Sequence, residues 1–212
     1  MSQGASAANQ KCEKLYFVSK EELMDLSEAI KGRRSIRKFK AQPVSKETIE
    51  KILDLALWAP SGMNRQEWYF VVVRGEKKEA LLKIFAAAFE TFRPNLEKVF
   101  ADKPKIVEGM KSFFQTYGGA PVFIVAYAGK SSSGQWDTHS TAVALQNLLL
   151  AAYAEGLGGV WTDGILVKEP EINALLGIEG KKLVAVVPLG YPDEVPRVPP
   201  RRSGRVQWVG FE

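Results

Sequence analysis

One cysteine and one histidine, Cys12 and His139, are all this chain has of the residues that most often ligate transition metals. No disulfide can close within it, which fits a reducing compartment. The two lie far apart in the sequence, so no zinc or iron site of the usual ligand spacing exists. A Gly-x-Ser-x-Gly elbow and a Walker loop are both missing. No glycine fingerprint of the dinucleotide-binding kind follows a strand and opens a helix, since Gly156 to Gly159 comes after a helix. Glu47, Glu50 and Asp54 fall on solvated helix faces, and no carboxylate pair stands out as acid and base. No window approaches the ~18–20 consecutive apolar residues of a membrane helix, and the N-terminus lacks the apolar run of a signal peptide. A cytoplasmic location without a membrane partner is therefore expected. A chain so poor in reactive side chains, if it is an enzyme, leaves the reaction to a cofactor. No catalytic residue is nominated, and no metal.

What is present suits one domain with a real core: 212 residues, 46% hydrophobic and 25% charged. The formal net charge is +5, with cations concentrated at 31–40 and 197–205. A nucleic-acid binder would more often spread its cations along a face interleaved with aromatics. Two short clusters fit an anionic small ligand better, and no nucleic-acid partner is expected.

The densest cluster is Gly32-Arg33-Arg34-Ser35-Ile36-Arg37-Lys38-Phe39-Lys40, with five cations in nine residues. In an extended chain, residues two apart point the same way, so Arg33, Ser35 and Arg37 share one side and Ile36 takes the other. Two guanidinium forks and a hydroxyl suit a phosphate or another electron-rich ligand. A solvated basic loop is the plain alternative.

Residues 1–18 read as a disordered or loosely docked tail. Ser19 and Glu22 form a capping-box signature for a helix over 20–31 that stops at Gly32. Pro43 and Ser45 open a second helix, 46–58, which ends in the breakers Ala59-Pro60-Ser61-Gly62. Trp68 to Val73 is apolar on both alternating faces and reads as a central strand covered on both sides. A helix over roughly 76–90 follows Gly75. From 91 to 119, Pro94 and Pro104 interrupt short helical pieces punctuated by phenylalanines, either an apolar lid or plain packing. Buried strands are expected at 121–128 and 183–190, and a short helix from Pro170 to Leu176. A helix over 138–155, apolar on nearly all sides, suggests cover from a partner subunit. Its polar exceptions, Gln146 and Asn147, would then have to be hydrogen-bonded. Residues 205–211 alternate like an edge strand that pairs with another subunit. Strands separated by helices and long connections indicate a three-layer α+β domain.

Four blocks in order carry a resemblance: Arg33 to Phe39; Trp58-Ala59-Pro60-Ser61-Gly62-Met63-Asn64-Arg65-Gln66-Glu67-Trp68; Gly156-Leu157-Gly158 with Trp161; and Leu189-Gly190-Tyr191-Pro192. Together, over about residues 25–203, they resemble the FMN-dependent nitroreductase family. The resemblance implies an α/β/α fold with a central mixed, mainly antiparallel sheet, in an intertwined homodimer. Residues 19–212 would form one domain, with 91–119 a helical lid excursion and 191–212 an arm reaching the partner subunit.

It further implies FMN as cofactor, with NAD(P)H as co-substrate. Arg33 and Ser35 would take the flavin phosphate, flanked by Arg34, while Arg37 would reach the N1/O2 edge of the ring. Pro60, Ser61, Gly62, Met63 and Asn64, with Gln66 nearby, would line the ring from the other subunit. Thr162-Asp163-Gly164 matches the turn facing flavin N5, and Arg201 (or Arg202) the arginine that closes on the phosphate. The implied reaction is ping-pong hydride transfer through N5 to a nitroaromatic, quinone or related acceptor. Other flavin reactions on the scaffold, namely fragmentation, dehalogenation or dehydrogenation, and a non-enzymatic FMN carrier are the alternatives. The lid shows no Glu, Tyr and Lys signature for a zwitterionic substrate, and its Phe-rich character suggests flat aromatic acceptors.

Overall fold

The computed structural model describes residues 24–211. The tail with Cys12 and the Ser19–Glu22 pair lie outside them. The first described helix, α1, spans Leu26–Gly32 and not 20–31, because Asp25 is its N-cap: the carboxylate accepts from the backbone N–H of Ser27 and Glu28. Helix α2, Lys46–Leu57, starts where expected, with the Ser45 hydroxyl accepting from Thr48 N–H at 3.1 Å. Ile49, Ile52 and Ala56 form its buried stripe.

Four strands follow: β1 Trp68–Val73, β2 Val122–Ala128, β3 Gly158–Gly159 and β4 Lys182–Gly190. They run in the order β1-β2-β4-β3, each pair antiparallel. A parallel bridge from Ser35 to Gly159 makes the sheet mixed. Strand β2 is buried at every position because its two faces serve two cores. Phe123, Val125 and Tyr127 enter one with Phe85, Phe89, Phe114 and Tyr117. Ile124, Ala126 and Ala128 enter the other with Ile52, Leu145 and Leu148. Alternation at period two thus produces three layers. Each fully buried Phe or Leu contributes about 1.5–3 kcal/mol to this arrangement.

Strand β1 is an edge and not a central strand, with Tyr69 and Val72 44% and 42% exposed. Each face is covered in part: Trp68 and Phe70 on one and Val71 and Val73 on the other pack inward, and Tyr69 and Val72 are left bare. Helix α3, Glu76–Val99, also departs from expectation by running through Pro94. Proline removes the bond to the carbonyl four residues back, at a cost of ~3 kcal/mol. Phe85, Phe89, Phe92 and Leu96 at helical spacing pack on the first core and hold the helix through it. Pro104 opens rather than interrupts the next helix, α4, Pro104–Thr116.

Helix α5, Thr138–Ala154, buries Thr141, Ala144, Leu145, Leu148, Leu149 and Ala152 between α2 and the sheet. Its remaining face carries exposed Val143 and Gln146, with Asn147 half-buried, so within this chain the two polar residues reach water and need no protein partner. Helix α6, Glu169–Leu176, leads into β4. Residues 205–211 form no strand within the chain, and Val206, Trp208 and Phe211 are exposed.

Candidate functional site

The basic strip runs beside the end of β4. Ile36 N–H donates to Gly159 O at 3.1 Å, Lys40 N–H to Tyr191 O at 2.9 Å, and Asp193 N–H to Lys38 O at 2.9 Å. These bonds hold residues 36–40 extended, as the alternation requires. Ile36 is buried over Gly158, where a Cβ would collide with its side chain. The strict alternation ends at Lys38: Arg37 and Lys38 both face outward before Phe39 turns into the core.

Two further residues fix the strip. The Glu194 carboxylate accepts from the backbone N–H groups of both Arg37 and Lys38. Gly118, at φ +64°, accepts Phe39 N–H at 3.0 Å, and a Cβ there would overlap the Arg37 carbonyl. Neither was nominated from the sequence. The available signals were an acidic residue in a Pro/Arg-rich arm and the Gly118-Gly119 pair beside a strand start.

The two ends of the strip meet different surroundings. Arg33 lines a cavity of about 290 Å³ with Tyr153, Leu149, Gly159 and Glu194. Burial, then the charges of Arg34 and Arg201, push its guanidinium below the ordinary arginine value. Among the described residues none of these three arginines forms an ion pair. Arg34 instead donates from Nη1 to the carbonyls of Lys31 and Arg33, both at 2.6 Å, closing α1. Like charges gathered without a counter-ion repel, and an anion between them relieves this.

Arg37 lines a larger cavity of about 610 Å³. Its wall is the turn Val160-Trp161-Thr162-Asp163-Gly164. Its cover is Phe92 and Leu96 of α3 and Ile106, Met110, Phe113 and Phe114 of α4. Thr162 is held from two sides: its hydroxyl donates to Val186 O at 2.6 Å and accepts from the Tyr117 hydroxyl at 3.4 Å. Gly164 packs against Phe114 and Phe92, where a Cβ would sit tightly, 3.0 Å from the Phe114 ring. The segment 91–119, expected as either lid or packing, divides its side chains between the core and the cavity lining. Val107 and Tyr117 are core, whereas Ile106, Met110 and Phe113 line the cavity.

Pro60 to Gln66 line neither cavity. They form a separate exposed turn, in which Gln66 N–H donates to the Ser61 hydroxyl at 2.9 Å and Gln66 Nε2 to Asn64 Oδ1 at 3.0 Å. Met63, Asn64 and Gln66 all have φ between 53° and 55°. Non-glycine residues held there cost of order 1–3 kcal/mol each and cluster at ligand clamps. Met63 presents its side chain 86% exposed at the tip. Within one chain, then, Arg37 joins Thr162, Asp163 and Gly164; Arg33 joins Arg34 and Arg201; and Pro60 to Gln66 stand apart.

The Nitroreductase family model matches residues 30–191. The chain belongs to that family. It is 31% identical over 181 residues to a Bacillus subtilis (strain 168) protein provisionally assigned as the NAD(P)H nitroreductase YfhC, covering 83% of this chain and 89% of the relative. Among solved structures it is similar to a variant of the FMN- and NADPH-dependent nitroreductase NfnB from Sphigopyxis sp. strain HMH. That match has TM-score 0.74 and 25% identity, over 89% of this chain and 100% of the other. An iodotyrosine deiodinase bound to FMN and 3-iodo-L-tyrosine matches with TM-score 0.74 and 28% identity, over 88% and 100%.

Proposed function

We propose that this chain is an FMN-dependent oxidoreductase that uses NAD(P)H to reduce nitroaromatics, quinones or related acceptors, working as a homodimer. The observation that carries the reading is the division of the strip. Three arginines without counter-ions among the described residues gather at one end, and Arg37 faces an aromatic-lined cavity at the other. FMN has that polarity, with a dianionic phosphate at one end and a flat tricyclic ring at the other.

Arg33 and Ser35 would hold the phosphate with Arg201 closing on it, while Arg34 stiffens the turn from α1. The charge of Arg201 bears directly on Arg33, which favours it over Arg202. Arg37 would hold the ring edge where negative charge collects on reduction, and preorganised cations at such a place act strongly where water is excluded. The Thr162–Gly164 turn, locked by Val186 and Tyr117, would offer a backbone N–H toward N5. Pro60 to Asn64 and Gln66 would come from the partner subunit, in keeping with their exposure and distance from this chain's own cavities. Residues 191–212 would then be the arm that reaches the partner, and 91–119 the lid.

When bound, FMN supplies the redox chemistry, taking a hydride from NAD(P)H and passing electrons to the acceptor. The residues of the chain position, exclude water and stabilise charge, so none need act as an acid or base. One cavity serving donor and acceptor in turn gives ping-pong kinetics.

The deiodinase likeness raises dehalogenation as a second reading. Among the described residues, Arg37 and Asp163 are the charged ones lining the larger cavity, and with Arg37 engaged by the flavin ring edge no cation is left there for a substrate carboxylate. Anaerobic mixing with NADH and NADPH, followed by a nitrofuran or menadione, tests the reading. Bleaching of the flavin absorbance and its return on adding acceptor are expected. Absorbance that neither nicotinamide changes would show a carrier and not an enzyme.

A further inference from the structure

Helix α4 presents Ile106, Gly109, Met110 and Phe113 to the larger cavity. Their spacing of three, one and three residues is one stripe of a helix face. Gly109 is the gap in an otherwise apolar stripe. Glycine within a helix is unfavourable relative to alanine, so its presence calls for a reason. Two usual reasons fail. Gly109 is not among the glycines with positive φ, and a Cβ built on it would meet nothing within 4 Å. Close packing does explain Gly164 across the same cavity, where a Cβ would lie 3.0 Å from Phe114. What Gly109 does provide is open space on the cavity wall, between the side chains of Ile106 and Phe113.

We infer that Gly109 is the size-determining position of the acceptor site: the bay left by its missing side chain admits flat acceptors of two fused rings. This rests on the flavin reading above for its chemistry. The cover is Phe92, Leu96, Ile106, Met110, Phe113 and Phe114, which offers apolar contact only; of the two charged residues elsewhere in the lining, Arg37 is engaged by the flavin in that reading, which leaves Asp163 alone. The acceptor class is therefore neutral bicyclic aromatics, such as naphthoquinones and nitronaphthalenes. A hydrophobic pocket discriminates by volume at roughly 10–200-fold for each group it excludes, and Gly109 is where volume can be added without moving a neighbour.

The test compares wild type, Gly109→Ala and Gly109→Leu, each purified as the FMN-loaded protein. The readouts are thermal midpoint, FMN absorbance, and the ratio of kcat/KM for menadione to that for 2,6-dimethyl-1,4-benzoquinone. Gly109→Ala is expected to raise the midpoint, and Gly109→Leu to lower the two-ring to one-ring ratio on the order of tenfold through KM. A ratio unchanged in Gly109→Leu would overturn the assignment, as would a lower midpoint in Gly109→Ala. Binding of 8-anilinonaphthalene-1-sulfonate, read by fluorescence, stands apart from turnover. Gly109→Leu should weaken it several-fold, and equal binding by both proteins would count against the bay. Wild-type protein without FMN absorbance would defeat the flavin reading, and the naphthalene probe would still decide the role of Gly109.

Discussion

The Glu194 carboxylate accepts hydrogen bonds from the backbone N–H of Arg37 and its neighbour Lys38, a link across more than 150 residues of sequence. It ties the start of the C-terminal arm to the strip that carries the arginines, and so sets where Arg37 can aim. Glu194→Ala should destabilise the chain by about 1–2 kcal/mol, since charge-assisted bonds are lost but water reaches the freed N–H groups. Glu194→Gln should recover most of this. Urea unfolding of the three proteins measures it, and equal losses for Ala and Gln would show that the bonds are not the cause.

Arg33 and Arg37 should separate by function. Arg33→Ala is expected to weaken FMN binding by about 1.5–3 kcal/mol, roughly ten- to a hundredfold, with little change in the bound flavin's potential. Arg37→Ala should lower the midpoint potential on the order of 30 mV, about 1.4 kcal/mol for a two-electron couple, and slow reduction by nicotinamide. Titration with FMN and spectroelectrochemistry give the two numbers. Identical profiles for the two variants would contradict the roles.

Gly118→Ala should be among the most damaging single changes in the chain. Its φ of +64° disfavours any side chain, and the new Cβ would overlap the Arg37 carbonyl. A loss of about 3 kcal/mol or more is expected from strain and the forced shift of the strip. Gly177→Ala, also at positive φ but with open space around it, should cost only about 1 kcal/mol. Thermal unfolding of both variants checks the contrast, and similar losses would place the effect in backbone conformation alone.

Alkaline pH should reveal two buried phenols. Burial pushes the Tyr117 hydroxyl above the ordinary tyrosine value, opposed by its bond to Thr162 and helped by Asp163. Tyr127 is raised by burial and then by Glu169. Unfolded chains ionise near pH 10 while the folded one keeps both protons. Their contribution is whole below that pH and falls as pH rises above it, by about 1.4 kcal/mol per unit for each group. Tyr127→Phe should flatten this slope without loss at neutral pH, because its hydroxyl has no hydrogen-bond partner among the described residues. Urea melts at pH 8 and above 10 test this, and an unaltered slope would count against it.

Local signals in the sequence were read correctly where one force dominates. The Ser45 cap and the continuous apolar runs of β2 and β4 each follow from burial or capping alone. The misses arise where tertiary context overrides a local rule. Pro94 reads as a break, yet the packing of Phe92 and Leu96 carries α3 through it. Trp68 to Val73 reads as central, but pattern cannot tell a strand buried by its own chain from one left for other cover. Gln146 and Asn147 read as buried because the helix is so apolar, although they sit on its free side. In the site, alternation singles out Arg33 and Arg37, and the family resemblance singles out the Thr162 turn. Glu194 and Gly118 were not legible, because what they hold is backbone distant in sequence.

The most direct measurement is calorimetric titration of FMN into flavin-stripped wild-type and Arg33→Ala protein at two salt concentrations, with molar mass in solution read alongside. One FMN per chain, a dimer mass, binding weakened by salt as expected for an arginine-held phosphate, and a large loss in Arg33→Ala are expected. A wild-type protein that takes up no FMN, or an Arg33→Ala protein that binds it equally well at both salt concentrations, would contradict the assignment of the strip.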